Sequence, residues 1–232
     1  MIPIRDLNPT ERFPVVTVLL IVVNTVVFIY GLLLGQQSEA LFVTSFALVP
    51  ARLFSPDGVP AGALPAGLTV FTSMFLHGGF LHIAGNMLYL WIFGNNVEDA
   101  MGRVRFIIFY LLSGVVAAFS HALPNAASPV PMIGASGAVS GVLGAYLLLY
   151  PGARVLTLMV FGLFVRTVEI PAMFILGFWF AFQFLSVLAS PGSGGGVAWY
   201  AHIGGFAGGM VLIGFFKRKN VPFGGRRRDS SL

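Results

Sequence analysis

Cysteine is absent from the 232 residues. That excludes a disulfide framework, a thiolate metal site and a cysteine nucleophile together. Charge is nearly as scarce, at 9% Asp, Glu, Lys and Arg against about 25% in a soluble domain. None of the eight acidic residues falls inside a long apolar run, so the ion-coupling carboxylates that a transporter would need are missing. What fills the chain instead is hydrophobic: 57% of residues, with a mean hydropathy of +0.90. Such a chain belongs in a bilayer, and its unbroken apolar runs, without strand-like alternation, predict helices and not a barrel. The net charge of +5 does not point to nucleic acid, because six of the thirteen basic residues crowd into the last sixteen positions, after an apolar run. That pattern reads as a tail facing anionic lipid.

A crossing needs roughly 20 apolar residues. Runs of about that kind cover 14–35, 74–95, 106–123, 136–150, 170–190 and 198–216, which predicts an all-α, polytopic protein with six transmembrane helices. The division is a segment 1–13, a membrane domain 14–216 and a basic tail 217–232. The first run is too long, and lacks the small-residue exit, for a cleaved signal peptide. The stretch Val155 to Val165 is too short to cross and reads as an interfacial or buried element. With six crossings, twelve of the thirteen basic residues share one side and only Arg52 takes the other, so both termini are expected in the cytoplasm. Glu98 and Asp99, beside Arg103 and Arg105, read as a local salt-bridge cluster.

This threading brings the starts of the second, fourth and sixth helices to the outer side. They carry His77, His82 and Asn86; Gly134-Ala135-Ser136-Gly137; and Ala201-His202. Polar groups inside a membrane are costly and usually mark function. The pairs Gly137/Gly141 and Gly205/Gly209 permit close helix approach, and His202 shares a face with Gly205 and Gly209 at i, i+3, i+7. Close packing there carries the imidazole to Ser136. A serine hydroxyl becomes a useful nucleophile when a base takes its proton, and a helix start offers free N–H groups to a developing oxyanion. His82 and Asn86, one turn apart, can add donors to it. Ser140 lies a turn deeper and reads as a packing residue, His77 as a structural hydrogen-bonder and His121 as interfacial. A zinc site is disfavoured: His77 and His82 point about 140° apart on a helix and no carboxylate in the spans completes the shell. No metal or cofactor is expected.

These blocks, His77-Gly-Gly-Phe-Leu-His82-Ile-Ala-Gly-Asn86, Gly134-Ala-Ser136-Gly137, and Ala201-His202-Ile-Gly-Gly205 with Gly209, resemble the rhomboid intramembrane serine proteases. The resemblance spans about residues 14 to 216. It implies a catalytic dyad of Ser136 and His202 without an acid, and an oxyanion hole formed by the Ser136 backbone with His82 and Asn86. It also implies hydrolysis of peptide bonds in or near the transmembrane helices of other proteins. A cap loop, here Pro191 to Val197, and the fifth helix, here Phe174 to Phe184, are the family's substrate-access elements. Two departures stand out. The first outer loop has no Trp-Arg pair, and Ser140 occupies the place of an aromatic residue that stacks on the histidine in some members, which leaves open what orients His202. The alternative reading is an inactive relative that binds or escorts transmembrane helices. The segment 1–13 lacks an Arg-rich, acid-free transit pattern, so a prokaryotic plasma membrane is the expected location, with the active site on its non-cytoplasmic side.

Overall fold

A computed structural model of the chain describes residues 1–55, 62–162, 164–189 and 198–225. A short strand β1, Ile2–Asp6, precedes helix α1, Val15–Leu33. Three short helices follow, α2 at Gln36–Phe46, α3 at Pro50–Phe54 and α4 at Ala66–Thr72. After one 3-10 turn at Ser73–Phe75 come α5 at Phe80–Met101 and α6 at Arg103–Ala122. The central helix α7, Ser136–Leu149, leads to strands β2, Arg154–Phe161, and β3, Phe164–Pro171. Helices α8, Ala172–Ala189, and α9, Trp199–Phe216, complete the fold.

α1, α6, α8 and α9 are each long and apolar enough to cross a membrane. The pair Ala66–Phe75 and Phe80–Met101, meeting at 83°, qualifies as a fifth crossing if taken together. Large apolar side chains stand exposed around the bundle, with Leu81, Leu33, Phe215 and Phe80 all more than 70% open. A multi-pass membrane protein presents such a surface to lipid.

The all-α expectation is corrected by a three-stranded antiparallel sheet ordered β1-β2-β3. The Val155 to Val165 stretch is the heart of its hairpin, with Val155 paired to Ile170 and Val160 to Val165. Val and Thr recur in both strands and Ile170 adds to β3, and β-branched residues pack well on a pleated surface. Segment 1–13 contributes a strand to this sheet: Ile2 pairs with Leu158 and Asp6 with Val155. Part of the tail also folds back, with the Arg218 N–H donating to Ala100 O and the Gly224 N–H to Leu148 O. The second helix begins six residues later than the hydropathy run suggested, after the 3-10 turn at Ser73–Phe75, and ends six later, because Gly102, at φ +85°, lets α5 reverse into α6 across a single residue. Glu98 is not principally a surface salt-bridge group. Its buried carboxylate accepts from the Val16 and Thr17 N–H groups and the Thr17 hydroxyl, so it caps the start of α1, where Pro14 offers no side-chain cap.

At the centre of this arrangement, α7 is buried from Gly137 through Tyr146 and again at Leu149. It is flanked by α5, α6 and α9. Ser136, at its first position, is one of the few α7 residues that is not buried.

Candidate active site

The close contact of α7 and α9 follows from glycine on both sides. A Cβ on Gly205 would strike the carbonyl oxygen of Gly137, and one on Gly209 the carbonyl oxygen of Gly141. The two backbones therefore touch without side chains between them. His202 lies one turn before Gly205, on the first turn of α9. Its Nε2 accepts a hydrogen bond from Ser136 Oγ at 2.8 Å.

Ser136 opens α7, and Ala135 before it supplies no side-chain cap. The first N–H groups of the helix accordingly have no partner within it. Gly134 turns the chain into this position at φ +126°, where a Cβ would lie 2.7 Å from His82 Nε2. His82 is thus held against the loop that presents the serine. Asn86, buried on the same helix, donates one amide hydrogen to His77 Nε2 at 3.0 Å. An asparagine amide has two donors, so the contact with His77 anchors Asn86 and leaves the second hydrogen for another acceptor.

His82, Asn86, Ser136, Trp179 and His202 all line one cavity of about 720 Å³. His121, expected at the interface, sits on the wall of this cavity. Ser140 is fully buried and its hydroxyl donates to Ser136 O at 2.6 Å, which commits its proton to the helix backbone. No cluster of three or more potential metal ligands occurs among the described residues.

One residue of the site was missed from the sequence. Gln183, on α8, is only 4% exposed, and its Oε1 accepts from His202 Nδ1 at 2.7 Å. A lone glutamine within an apolar run was the available signal. Trp179, one turn earlier on α8, lies 5.8 Å from the imidazole between ring centroids, and Trp199 lies 6.0 Å away, nearly perpendicular to it. These rings occupy the surroundings of His202 that Ser140 leaves without an aromatic. The cap segment Pro191 to Val197 lies outside the described residues.

A family model described as Rhomboid domain matches residues 66–219, which includes every block of the site. Among curated proteins, the chain is 34% identical over 170 residues to "Rhomboid protein 1, mitochondrial" of Saccharomyces cerevisiae, covering 69% of this chain and 45% of that one. It is 29% identical over 241 residues to "RHOMBOID-like protein 1" of Arabidopsis thaliana, covering 91% and 58%. It is 35% identical over 141 residues to "Rhomboid protease GluP" of Bacillus subtilis, covering 61% and 24%. The chain therefore spans less than two thirds of the length of each of these relatives.

Proposed function

The chain belongs to the rhomboid family, and we propose that it is an intramembrane serine endopeptidase acting on transmembrane-helix protein substrates, with Ser136 and His202 as its catalytic dyad. The observation that carries this reading is the 2.8 Å hydrogen bond from Ser136 Oγ to His202 Nε2 at the wall of a cavity. In the reaction, Oγ attacks the scissile carbonyl carbon while Nε2 takes its proton. The oxyanion that forms is met by the Ser136 N–H, the free Asn86 amide hydrogen and His82. Collapse expels the amine, which leaves with the proton held by His202, and the peptide's acyl part stays on Ser136. Water, deprotonated by the same Nε2, then releases the acid and regenerates the serine. Gly134, Gly137, Gly205 and Gly209 serve by allowing backbone approaches that a side chain would block.

Six crossings with both termini cytoplasmic accompany this reading. α7 has 14 residues, about 21 Å of helix against a hydrocarbon core of about 30 Å. If its C-terminal end reaches the cytoplasmic face, Ser136 sits below the outer surface, in an irregular turn that the cavity makes tolerable. The membrane domain is taken as 14–216, with 217–232 as a basic cytoplasmic tail. A plasma-membrane location has no support from the relatives, whose printed names include a mitochondrial protein.

The test is a fluorophosphonate probe on purified protein in detergent, with cleavage of a model transmembrane substrate followed in parallel. Wild type should label and cleave, while Ser136→Ala should do neither and His202→Ala should lose cleavage. A folded wild type that neither labels nor cleaves would favour the alternative of a non-cutting helix-binding protein. Labelling retained in Ser136→Ala would move the nucleophile elsewhere.

A further inference from the structure

The dyad leaves one ring nitrogen of the base unexplained, and α8 supplies its partner. For His202 Nε2 to accept the Ser136 proton, its lone pair must be free, so the ring proton must reside on Nδ1. A buried imidazole with an unbonded Nδ1–H would gain by moving the proton to Nε2, where it would point at the serine and cancel the base. Gln183 Oε1, at 2.7 Å from Nδ1, is an acceptor placed where only the productive tautomer can use it. We propose that Gln183 is a positioning residue that holds His202 in the Nδ1–H tautomer, and that by this bond the outer half of α8 is docked on the site. The proposal rests on the Ser136–His202 reading above.

The packing of α8 supports both halves of the statement. Its buried side chains are Ala172, Ile175 and Leu176 near the sheet and then Gln183 alone. Beyond Leu176 the helix faces outward with Phe178, Phe182, Phe184, Leu185 and Leu188, each at least half exposed. Trp179 and Phe180 add ring contacts to Phe206. Among the described residues, Gln183 is thus the one polar tie between this outer half and α9. A buried amide costs free energy unless it is hydrogen-bonded, so displacing α8 strips His202 of its acceptor and exposes the amide to lipid at once. Orientation of the base and attachment of α8 are one contact, and the catalytic pair is assembled only while α8 is in place.

The experiment compares wild type, Gln183→Met, which keeps the length and apolar fit but removes the acceptor oxygen, and Gln183→Glu, which keeps the oxygen. Steady-state cleavage of a model transmembrane substrate should show kcat reduced roughly 10- to 100-fold in Gln183→Met, with KM little changed, and largely recovered in Gln183→Glu. Histidine 15N NMR of the purified protein, assigned by loss of the signal in His202→Ala, should report a protonated Nδ1 in wild type and a shift toward protonated Nε2 in Gln183→Met. Because the chain has no cysteine, a nitroxide at Leu185→Cys has a single site, and its mobility should rise in Gln183→Met. Wild-type kcat in Gln183→Met would overturn the proposal, as would a fall in kcat with an unchanged Nδ1 signal, since that loss would come from packing alone. If Gln183→Met does not fold, failure of Gln183→Glu to retain turnover and the Nδ1 signal would overturn it. Failure of the dyad reading itself is separate: it would appear as absent fluorophosphonate labelling in wild type.

Discussion

Gly205→Ala adds a single methyl group where the α7 and α9 backbones touch. The added carbon would fall inside contact distance of the Gly137 carbonyl oxygen, 3.0 Å from its carbon and 3.3 Å from Ala117 Cβ. The first two neighbours are backbone atoms of a buried helix, so they cannot rotate aside. Restoring an ordinary separation of about 3.5 Å requires α9 to withdraw by on the order of 1 Å. His202 is three residues away on the same face, so the 2.8 Å bond to Ser136 would open to about 3.8 Å, beyond hydrogen-bond range. A displacement of that size costs roughly 100-fold in turnover. The overpacking costs about 1–3 kcal/mol of stability, offset in part by alanine's helix preference of about 0.5–1 kcal/mol. The control is Gly214→Ala on the same helix, where an added Cβ meets nothing within 4 Å; it should leave turnover unchanged. The assay is substrate cleavage in a fixed detergent, with thermal unfolding measured on the same samples. Gly205→Ala cleaving at the wild-type rate, or Gly214→Ala failing equally, would refute the argument that backbone contact positions the base.

Asn86→Ala should lower kcat/KM by about 100- to 1,000-fold if its amide meets the oxyanion; with Ser136 N–H and His82 still present, residual cleavage should be measurable, and an unchanged rate would reduce Asn86 to a packing residue. Burial raises the Asp6 carboxyl from 3.8 to about 6, against hydrogen bonds from Asn8 and Asn96. A raised acid favours the protonated fold, so its contribution is full below about pH 4 and is lost as pH climbs through about 6; roughly 1 kcal/mol of that loss should fall between pH 5 and 7.5. Unfolding of wild type and Asp6→Asn across this window should show the decline in wild type only. Reporter fusions after Ser38 should read outside, and those at Gly152 and Val221 inside; one at Thr167 reading outside would break the six-crossing threading.

The site was more legible than the boundaries of the elements around it. The contact of Ser136 with His202 could be foreseen because glycine spacing states which helix faces can meet, and backbone contact leaves little freedom in where a neighbouring side chain ends up. Hydropathy placed the apolar runs yet misjudged where α5 stops, since a lipid-facing average cannot register the single left-handed residue at Gly102. β1 was invisible because its partner lies about 150 residues away, and a five-residue strand containing a proline carries almost no local signal. The hairpin was half legible: Val155 to Val165 failed as a crossing by length and read only as an interfacial or buried element, while the β-branched residues around Gly162, which the structure places at φ +59°, were a signal for two strands and a turn that went unused. Gln183 was passed over because its partner is on another helix, and nothing local distinguishes a buried amide from one that faces a headgroup.

The pairing of β1 with β2 also constrains the threading by parity. Two strands that share hydrogen bonds lie on the same side of a bilayer, so the chain between Asp6 and Arg154 has to cross an even number of times. If the bent α4–α5 pair counts as one span, it makes three crossings with α1 and α6, and three alone would strand β2 opposite its partner. In the six-crossing arrangement proposed above, α7 crosses too, short as it is, and the count closes. The sheet then acts as a latch that a mis-inserted chain cannot fasten: a molecule in which α7 failed to thread would leave β1 unpaired and its edge open. Correct insertion and closure of the sheet would be read out together, by protection of the β1 amides from hydrogen exchange.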